Sequence, residues 1–189
     1  MAEPADEDLV RRHLAGDRQA FADLMRRHER RVYNLTYRML GRPEEAADAT
    51  QDVFLTCLRK LSGFRGTAAF TTWLHRVALN VCYDALRKRG REEPVAEPGP
   101  PQDTGFDLAD SAATAVDVHR ALQRVPEDFR AVLIFHDVEG LPYEEIAEAI
   151  GAPVGTIKSR LHRGRVALAR AMRGEHDEAP PASNLEETK

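Results

Sequence analysis

The chain has 189 residues, enough for one large domain or two small ones. Its net charge of −4 argues against a protein that coats nucleic acid through bulk positive charge, and no stretch is apolar enough to span a bilayer. The acidic N-terminus lacks the apolar segment of a secretion signal, so we expect a cytoplasmic protein. Cys57 and Cys82 lie among apolar helical neighbours, which predicts two buried thiols in a reducing compartment.

Helical spacing of apolar residues predicts an all-α fold, and local signals mark the first helices. Asp17 is a suitable N-cap, Gly41 is a suitable stop, and Pro43 suits the first turn of a new helix. The predicted helices of the first half cover residues 6–14, 17–40, 43–61 and 73–91.

The helix from Pro43 has an apolar face that includes Leu58 and an outward face that is mostly acidic. That outward face contains Asp48, Gln51, Asp52 and Leu55. Two interpretations stay open: a solvated acidic face, or a docking surface for a basic partner with Leu55 as its apolar anchor.

Residues 62–72 form a predicted loop with two glycines and two phenylalanines, Phe64 and Phe70, next to Arg65. Aromatic side chains beside a basic residue can stack on unpaired nucleotides, but they can equally fill the edge of a hydrophobic core. A helix comes next, capped by Thr71 or Thr72, with Trp73 among its inward residues. Its outward face contains Arg76, Asn80, Tyr83, Asp84 and Arg87, and it ends in a basic run.

The amino-acid composition changes at residues 92–111, which are rich in proline and acidic residues and contain no basic residue. This composition predicts a flexible linker. We therefore predict two helical domains, residues 1–91 and 112–174, joined by the linker and followed by a disordered tail at 175–189. Helices predicted at 112–124 and 127–138 provide a core for the rest of the second domain.

Residues 141–173 have the pattern of a helix-turn-helix. A helix at 143–150 ends at Gly151, and Pro153 opens a second helix whose inner stripe includes Ile157 and Leu161. Gly164 lies on the same inner stripe, where a missing side chain lets another helix approach closely.

The charges of these two helices are segregated, because the first carries only acids and the second only bases. This favours a second helix that faces phosphates, although a charged surface helix of an ordinary bundle is the alternative. The side chains expected to reach base edges are Lys158, Ser159, His162 and Arg163, with Gly155 beside them. Those expected to hold phosphates are Thr156, Arg160 and Arg165.

Three motifs together resemble the extracytoplasmic-function type of bacterial RNA polymerase sigma factor, in the sigma-70 family. They are DATQDVFL at 48–55, FTTWLHRVALNVCYDALRKR at 70–89 and YEEIAEAIGAPVGTIKSRLHRGR at 143–165. The resemblance covers about residues 6–173. It implies a first domain that melts the −10 element, a second domain that reads the −35 element, and a linker that threads the polymerase's RNA path.

The resemblance also implies roles for individual residues. The face with Asp48, Gln51, Asp52 and Leu55 matches the surface that docks on the core polymerase. The loop matches the element that captures a flipped base. The predicted −10 residues are Phe64, Arg65, Phe70, Arg76, Asn80, Asp84 and Arg87. The predicted −35 residues are Thr156, Lys158, Ser159, Arg160, His162, Arg163 and Arg165. The expected partners are core RNA polymerase, promoter DNA and an anti-sigma factor, with the chain a monomer or a heterodimer with that factor.

Two alternatives remain beside the sigma factor that directs promoter-specific initiation. One is a stand-alone helix-turn-helix regulator that binds duplex DNA, and the other is a sigma mimic that only titrates an anti-sigma factor. An enzyme is disfavoured, because the sequence has no glycine-rich phosphate loop, no metal-ligand spacing and no credible nucleophile–base pair. We therefore expect no catalytic residue, no metal, no cofactor and no small-molecule substrate.

Overall fold

The computed structural model describes residues 4–92 and 112–174, and within these ranges the regular structure is entirely helical. The predicted all-α fold is therefore confirmed. Nearly all of the predicted linker and the whole predicted tail lie outside the described residues, and the domain boundaries stay a prediction. The helices are α1 Asp6–Leu14, α2 Arg18–Leu40, α3 Pro43–Lys60, α4 Phe70–Glu92, α5 Ala112–Arg124, α6 Glu127–Leu133, α7 Tyr143–Ile150 and α8 Val154–Met172.

The ends of α2 confirm two of the predicted signals. Asp17 accepts hydrogen bonds from the backbone amides of Gln19 at 3.0 Å and Ala20 at 3.3 Å, as an N-cap does. Gly41 ends the helix in the left-handed conformation, with φ of 83°. Helices α1 to α4 pack around one core to which Leu24, Leu35 and others contribute.

The start of α4 differs from the prediction. The helix begins at Phe70, so Thr71 and Thr72 lie inside its first turn and do not cap it. The amide of Phe70 instead donates to Glu7 Oε1 at 3.3 Å. A side chain of α1 thus satisfies a helix end more than sixty residues away in the sequence, which local patterns cannot reveal.

The second half of the described chain contains α5 to α8, and α6 continues into a π-helical turn at Ile134–Val138. Helix α8 crosses α6 closely at Gly164, as its place on the inner stripe predicts. A Cβ atom added there would lie 3.0 Å from Leu133 Cγ and 3.2 Å from the carbonyl oxygen of Phe129. The two helices can approach this closely because residue 164 has no side chain.

The two helical groups also contact each other. The imidazole of His75 on α4 packs 5.3 Å from the ring of Phe135, and Arg31 Nε on α2 donates to Glu139 Oε2 at 2.6 Å. Among the described residues, no helix is long and apolar enough to cross a membrane.

Candidate nucleic-acid interface

Helix α8 is joined to α7 by a short turn. Gly151 adopts φ of 74° and its amide donates to the carbonyl of Ala147 at 2.8 Å, which ends α7. Helix α8 starts after Pro153, and its inner side chains Ile157 and Leu161 are buried against the rest of the domain. The opposite face of α8 is therefore turned to solvent.

Four side chains predicted to reach base edges lie on that outer face. Lys158, Ser159, His162 and Arg163 are all exposed. Lys158 Nζ lies 5.4 Å from the centre of the Tyr143 ring, a cation–π contact, and Ser159 Oγ donates to the backbone carbonyl of Thr156 at 3.0 Å. Helix α8 therefore presents a row of exposed polar and basic side chains on one face.

Two of the predicted phosphate contacts are paired with acids in the structure. Arg160 Nη2 donates to Asp128 Oδ2 at 3.0 Å, and Arg165 Nε donates to Asp137 Oδ2 at 3.1 Å. The hydrogen bond from Arg165 lowers the pKa of the Asp137 carboxyl below its usual value, so this acid is ionised at neutral pH. A DNA phosphate that binds either arginine has to compete with a carboxylate.

A second candidate site lies where the loop before α4 meets the helix. The rings of Phe64, Phe70 and Trp73 form a cluster with centroid separations of 5.7 to 5.8 Å. Phe70 is buried at the base of the cluster, whereas Phe64 and Trp73 are partly exposed. Phe70 is thus placed to support the other two rings rather than to touch a ligand directly.

The aromatic cluster borders a cavity of about 250 Å³. Its lining includes Phe64, Arg65, Trp73 and Arg76 from the first half of the chain and Glu148 from α7. The sequence pattern placed Trp73 with the inward residues, so its access to this cavity was not foreseen. The available signal was the spacing of three residues between Phe70 and Trp73, which makes the two rings neighbours on a helix.

The outer face of α4 continues from the cavity. Arg76, Asn80, Asp84 and Arg87 are all exposed, and Arg87 forms an ion pair with Asp84. The face therefore presents side chains with both donors and acceptors from Arg76 to Arg87. Arg65, the other predicted residue, is exposed in the loop.

The predicted docking face of α3 is also exposed. Asp48, Gln51, Asp52 and Leu55 all face solvent, and Leu55 has 55% of its surface accessible. Leu58 was expected on the inner face, but 46% of it is accessible one turn after Leu55. The prediction for Leu58 is wrong because α3 contacts its neighbours over a narrower stripe than the apolar pattern suggests.

The two thiols confirm the expectation of buried cysteines. Cys57 and Cys82 are free and buried, and burial raises the pKa of each thiol to about 12. A thiol with such a pKa is neutral and a poor nucleophile. The described residues contain no group of three or more side chains suited to hold a metal ion.

Comparison with known proteins covers both helical groups. Residues 24–92 match the family described as Sigma-70 region 2, and residues 115–168 match the family described as Sigma-70, region 4. The chain is 39% identical over 173 residues to the ECF RNA polymerase sigma factor SigM of Mycobacterium tuberculosis, covering 90% of this chain and 86% of that protein. It is 33% identical over 175 residues to the ECF RNA polymerase sigma factor SigW of Bacillus subtilis, covering 84% of this chain and 91% of that protein.

Solved structures show the same likeness. The sigma factor RpoE of Bartonella quintana, crystallised with the anti-sigma factor NepR, has 27% identity and a TM-score of 0.65 over 82% of this chain and 98% of that one. CnrH, in complex with the cytosolic domain of CnrY, shares the fold with a TM-score of 0.68 at 23% identity, and the match covers 92% of this chain and 100% of that one. The chain therefore belongs to the sigma-70 family as an extracytoplasmic-function RNA polymerase sigma factor, an alternative sigma factor that directs transcription initiation.

Proposed function

We propose that the chain selects promoters through two separate DNA sites, one on α8 and one at the start of α4. The observation that carries this proposal is that both sites occur in one chain: a basic helix with exposed donors, and an aromatic cavity beside an exposed polar helix face. A stand-alone duplex-binding regulator needs only the first of these. A sigma mimic that only titrates an inhibitor needs neither.

The α8 site is proposed to read the −35 element in the major groove. Lys158, Ser159, His162 and Arg163 lie on the exposed face and reach base edges, and Thr156 lies at the start of the same helix. Arg160 and Arg165 hold phosphates after they leave Asp128 and Asp137. Each good bidentate contact to a base contributes about 1–3 kcal/mol of discrimination against the wrong base.

The cavity at the start of α4 is proposed to hold a base flipped out of the −10 element. Extruding a base costs a few kcal/mol, and stacking on an aromatic ring returns about 1–3 kcal/mol per base. Phe64 and Trp73 supply the exposed rings, and Phe70 supports them from below. The cavity lowers the free-energy cost of melting because it binds only the unpaired strand. Arg65, Arg76, Asn80, Asp84 and Arg87 contact the rest of that strand.

The outer face of α3 is proposed to dock on core RNA polymerase. Asp48 and Asp52 provide negative charge, Gln51 provides an amide, and Leu55 provides an exposed apolar side chain at the end of the patch. Interfaces of this kind combine an apolar anchor with a polar rim. The exposed Leu58 extends the apolar part of the same face.

Further partners and the cellular setting follow from the same assignment. RpoE of Bartonella quintana was crystallised with an anti-sigma factor, and we propose that this chain is likewise held by one as a heterodimer. The chain acts in the cytoplasm together with the polymerase, uses no cofactor and performs no catalysis of its own. The polymerase supplies all of the nucleotide chemistry.

The docking proposal is tested by titrating labelled chain with purified bacterial core polymerase. Asp52→Lys and Leu55→Glu are expected to lower the affinity at least about tenfold, the equivalent of about 1.4 kcal/mol, because they remove charge complementarity and the apolar anchor. Glu29→Lys reverses an exposed acid on α2 and serves as the matched control with unchanged affinity. Equal affinities for all variants would place the polymerase contact elsewhere.

A further inference from the structure

Helix α1 lies outside the family match, yet it packs against the helices that carry the proposed −10 site. The Sigma-70 region 2 match begins at residue 24, whereas α1 covers Asp6–Leu14. Its side chains Leu9 and Val10 are buried in the same core as Phe70. The first turn of α1 carries three acidic residues, Asp6, Glu7 and Asp8. Two of these acids act on the start of α4, one directly and one through α2.

Glu7 binds the first residue of α4. The backbone amide of Phe70 donates to Glu7 Oε1 at 3.3 Å, across 63 residues of sequence. The first amides of a helix have no partner within the helix and carry partial positive charge, so a carboxylate acceptor is well placed there. Because α4 begins at Phe70, this hydrogen bond holds the backbone from which the Phe70 ring projects.

Asp6 acts on the same ring through a buried histidine of α2. His28 Nε2 donates to Asp6 Oδ2 at 2.8 Å, and Arg27 Nη1 donates to Asp6 Oδ1 at 2.6 Å. His28 is only 5% exposed, and its ring centre lies 5.5 Å from that of Phe70. The imidazole therefore packs against Phe70, and the carboxylate of α1 fixes the position of the imidazole.

Phe70 links these contacts to the two partly exposed rings of the cavity. Its ring centre lies 5.8 Å from that of Phe64 and 5.7 Å from that of Trp73. Because Phe64 and Trp73 are only partly buried, their orientation depends on the support that Phe70 gives them. Aromatic stacking depends on ring offset and tilt, and the residues beneath a binding group must hold it to within about 0.5 Å.

We propose that α1 is a positioning element of the −10 site, in which Glu7 and Asp6 fix Phe70 and thereby the two rings that stack on the flipped base. The inference rests on the proposed −10 site at the start of α4. Among the described residues that line the cavity, neither acid occurs, so both act through Phe70 and not by contact with DNA. Loss of these acids therefore weakens base stacking in particular.

The test uses holoenzyme assembled from the chain and bacterial core polymerase. The fluorescent probe carries a duplex −35 element and a single non-template −10 strand, taken from a promoter that the wild-type holoenzyme transcribes. Affinity is measured by fluorescence anisotropy, with an abasic site placed at each −10 position in turn. The flipped position is the one at which the missing base weakens wild-type binding most, and an abasic site there leaves the rings no base to stack on.

Glu7→Ala is expected to lower the affinity for the intact probe about fivefold, and its combination with Asp6→Ala at least about tenfold, because stacking is weakened. On the probe with an abasic site at the flipped position, both variants are expected to match the wild type within about twofold. Glu7→Gln keeps a side-chain acceptor and is expected to retain most of the affinity. Asp8→Ala is the matched control with unchanged affinity, since Asp8 pairs with Arg11 of its own helix.

The abasic probe separates positioning from a general loss of structure. Equal losses on the intact and abasic probes would overturn the proposal, because a misfolded chain loses affinity for both. Unchanged binding by the double variant, or an equal loss for Asp8→Ala, would overturn it as well. If Glu7→Gln loses as much as Glu7→Ala, the hydrogen bond to the Phe70 amide is overturned as the means of positioning. If no abasic site weakens wild-type binding, the proposed flipped-base site itself fails, and the role of α1 fails with it.

Discussion

The close crossing of α6 and α8 predicts that Gly164→Ala destabilises the protein, although alanine favours a helix. The new Cβ atom would lie 3.0 Å from Leu133 Cγ and 3.2 Å from the carbonyl oxygen of Phe129. The carbonyl oxygen is backbone and cannot rotate away, and Leu133 Cγ can move only by rotation about χ1, for which a side chain that is 3% exposed has little room. Overpacking of this kind costs about 1–3 kcal/mol, and alanine returns about 1 kcal/mol of helix propensity. The expected net loss in unfolding free energy is about 1 kcal/mol.

Urea unfolding followed by far-ultraviolet circular dichroism measures this loss. Gly155 lies on the same helix, and a Cβ atom added there would have no neighbour within 4 Å. Gly155→Ala is therefore the matched control, and it is expected to be neutral or to stabilise by up to about 1 kcal/mol. Equal stabilities of the two alanine variants would refute the close approach as the reason for glycine at position 164.

Three other changes test further parts of the fold. Burial lowers the pKa of His75 to about 4 from an ordinary 6.5, so the unfolded chain binds a proton that the folded chain does not, and stability falls as pH falls between these values. Between pH 7.5 and pH 5 the unfolding free energy of the wild-type chain is expected to fall by about 2 kcal/mol more than that of His75→Gln. Equal falls in the two unfolding free energies would contradict this. Arg130→Met leaves the carbonyls of Val125 and Gln123 without their donor. This variant is expected to lower the unfolding free energy measured with urea by at least about 3 kcal/mol. A urea midpoint near that of the wild type would show that water replaces the guanidinium as donor. Asp17→Ala removes the N-cap of α2 and is expected to lower the urea midpoint, while Asp17→Asn keeps it because an amide oxygen also caps.

Helix ends were predictable from the sequence where the responsible group is local. Asp17, Gly41 and Gly151 mark the ends of helices through hydrogen bonds or backbone conformations within a few residues, and the structure places them there. The buried position of Gly164 was also predictable, since helical periodicity puts it on the inner stripe. These features depend on neighbours along the chain, which a sequence pattern records directly.

Contacts between distant segments were not predictable in the same way. Glu7 caps α4, and Arg130 caps α2, across separations of 63 and 91 residues. In the sequence each is a charged residue on a helix, and such residues usually face solvent. Leu58 shows the converse error, because an apolar residue at the expected spacing is exposed where no neighbouring helix covers it.

The sequence predicts which residues of the candidate sites are exposed, but not which residues they contact. The outer faces of α3, α4 and α8 are largely exposed as periodicity predicts. Tyr83 was predicted on the outer face of α4, but it is half-buried there and its hydroxyl donates to Asp128 of α6. The ion pair of Arg160 with Asp128 was not foreseen, nor was the presence of Glu148 in the aromatic cavity. The ion pair depends on how α6 and α8 pack within the second half, and the position of Glu148 depends on how the two halves pack. Neither kind of packing leaves a periodic signal in the sequence.

Run-off transcription on a genomic promoter library, with the purified chain and bacterial core polymerase, tests the central claim most directly. The wild-type chain is expected to produce specific transcripts that share sequences at −35 and −10. His162→Ala and Asn80→Ala, one in each proposed DNA site, are each expected to reduce those transcripts while the affinity for core polymerase stays unchanged. The absence of transcripts, together with sequence-specific duplex binding by the wild-type chain without polymerase, would contradict the account and identify a stand-alone regulator.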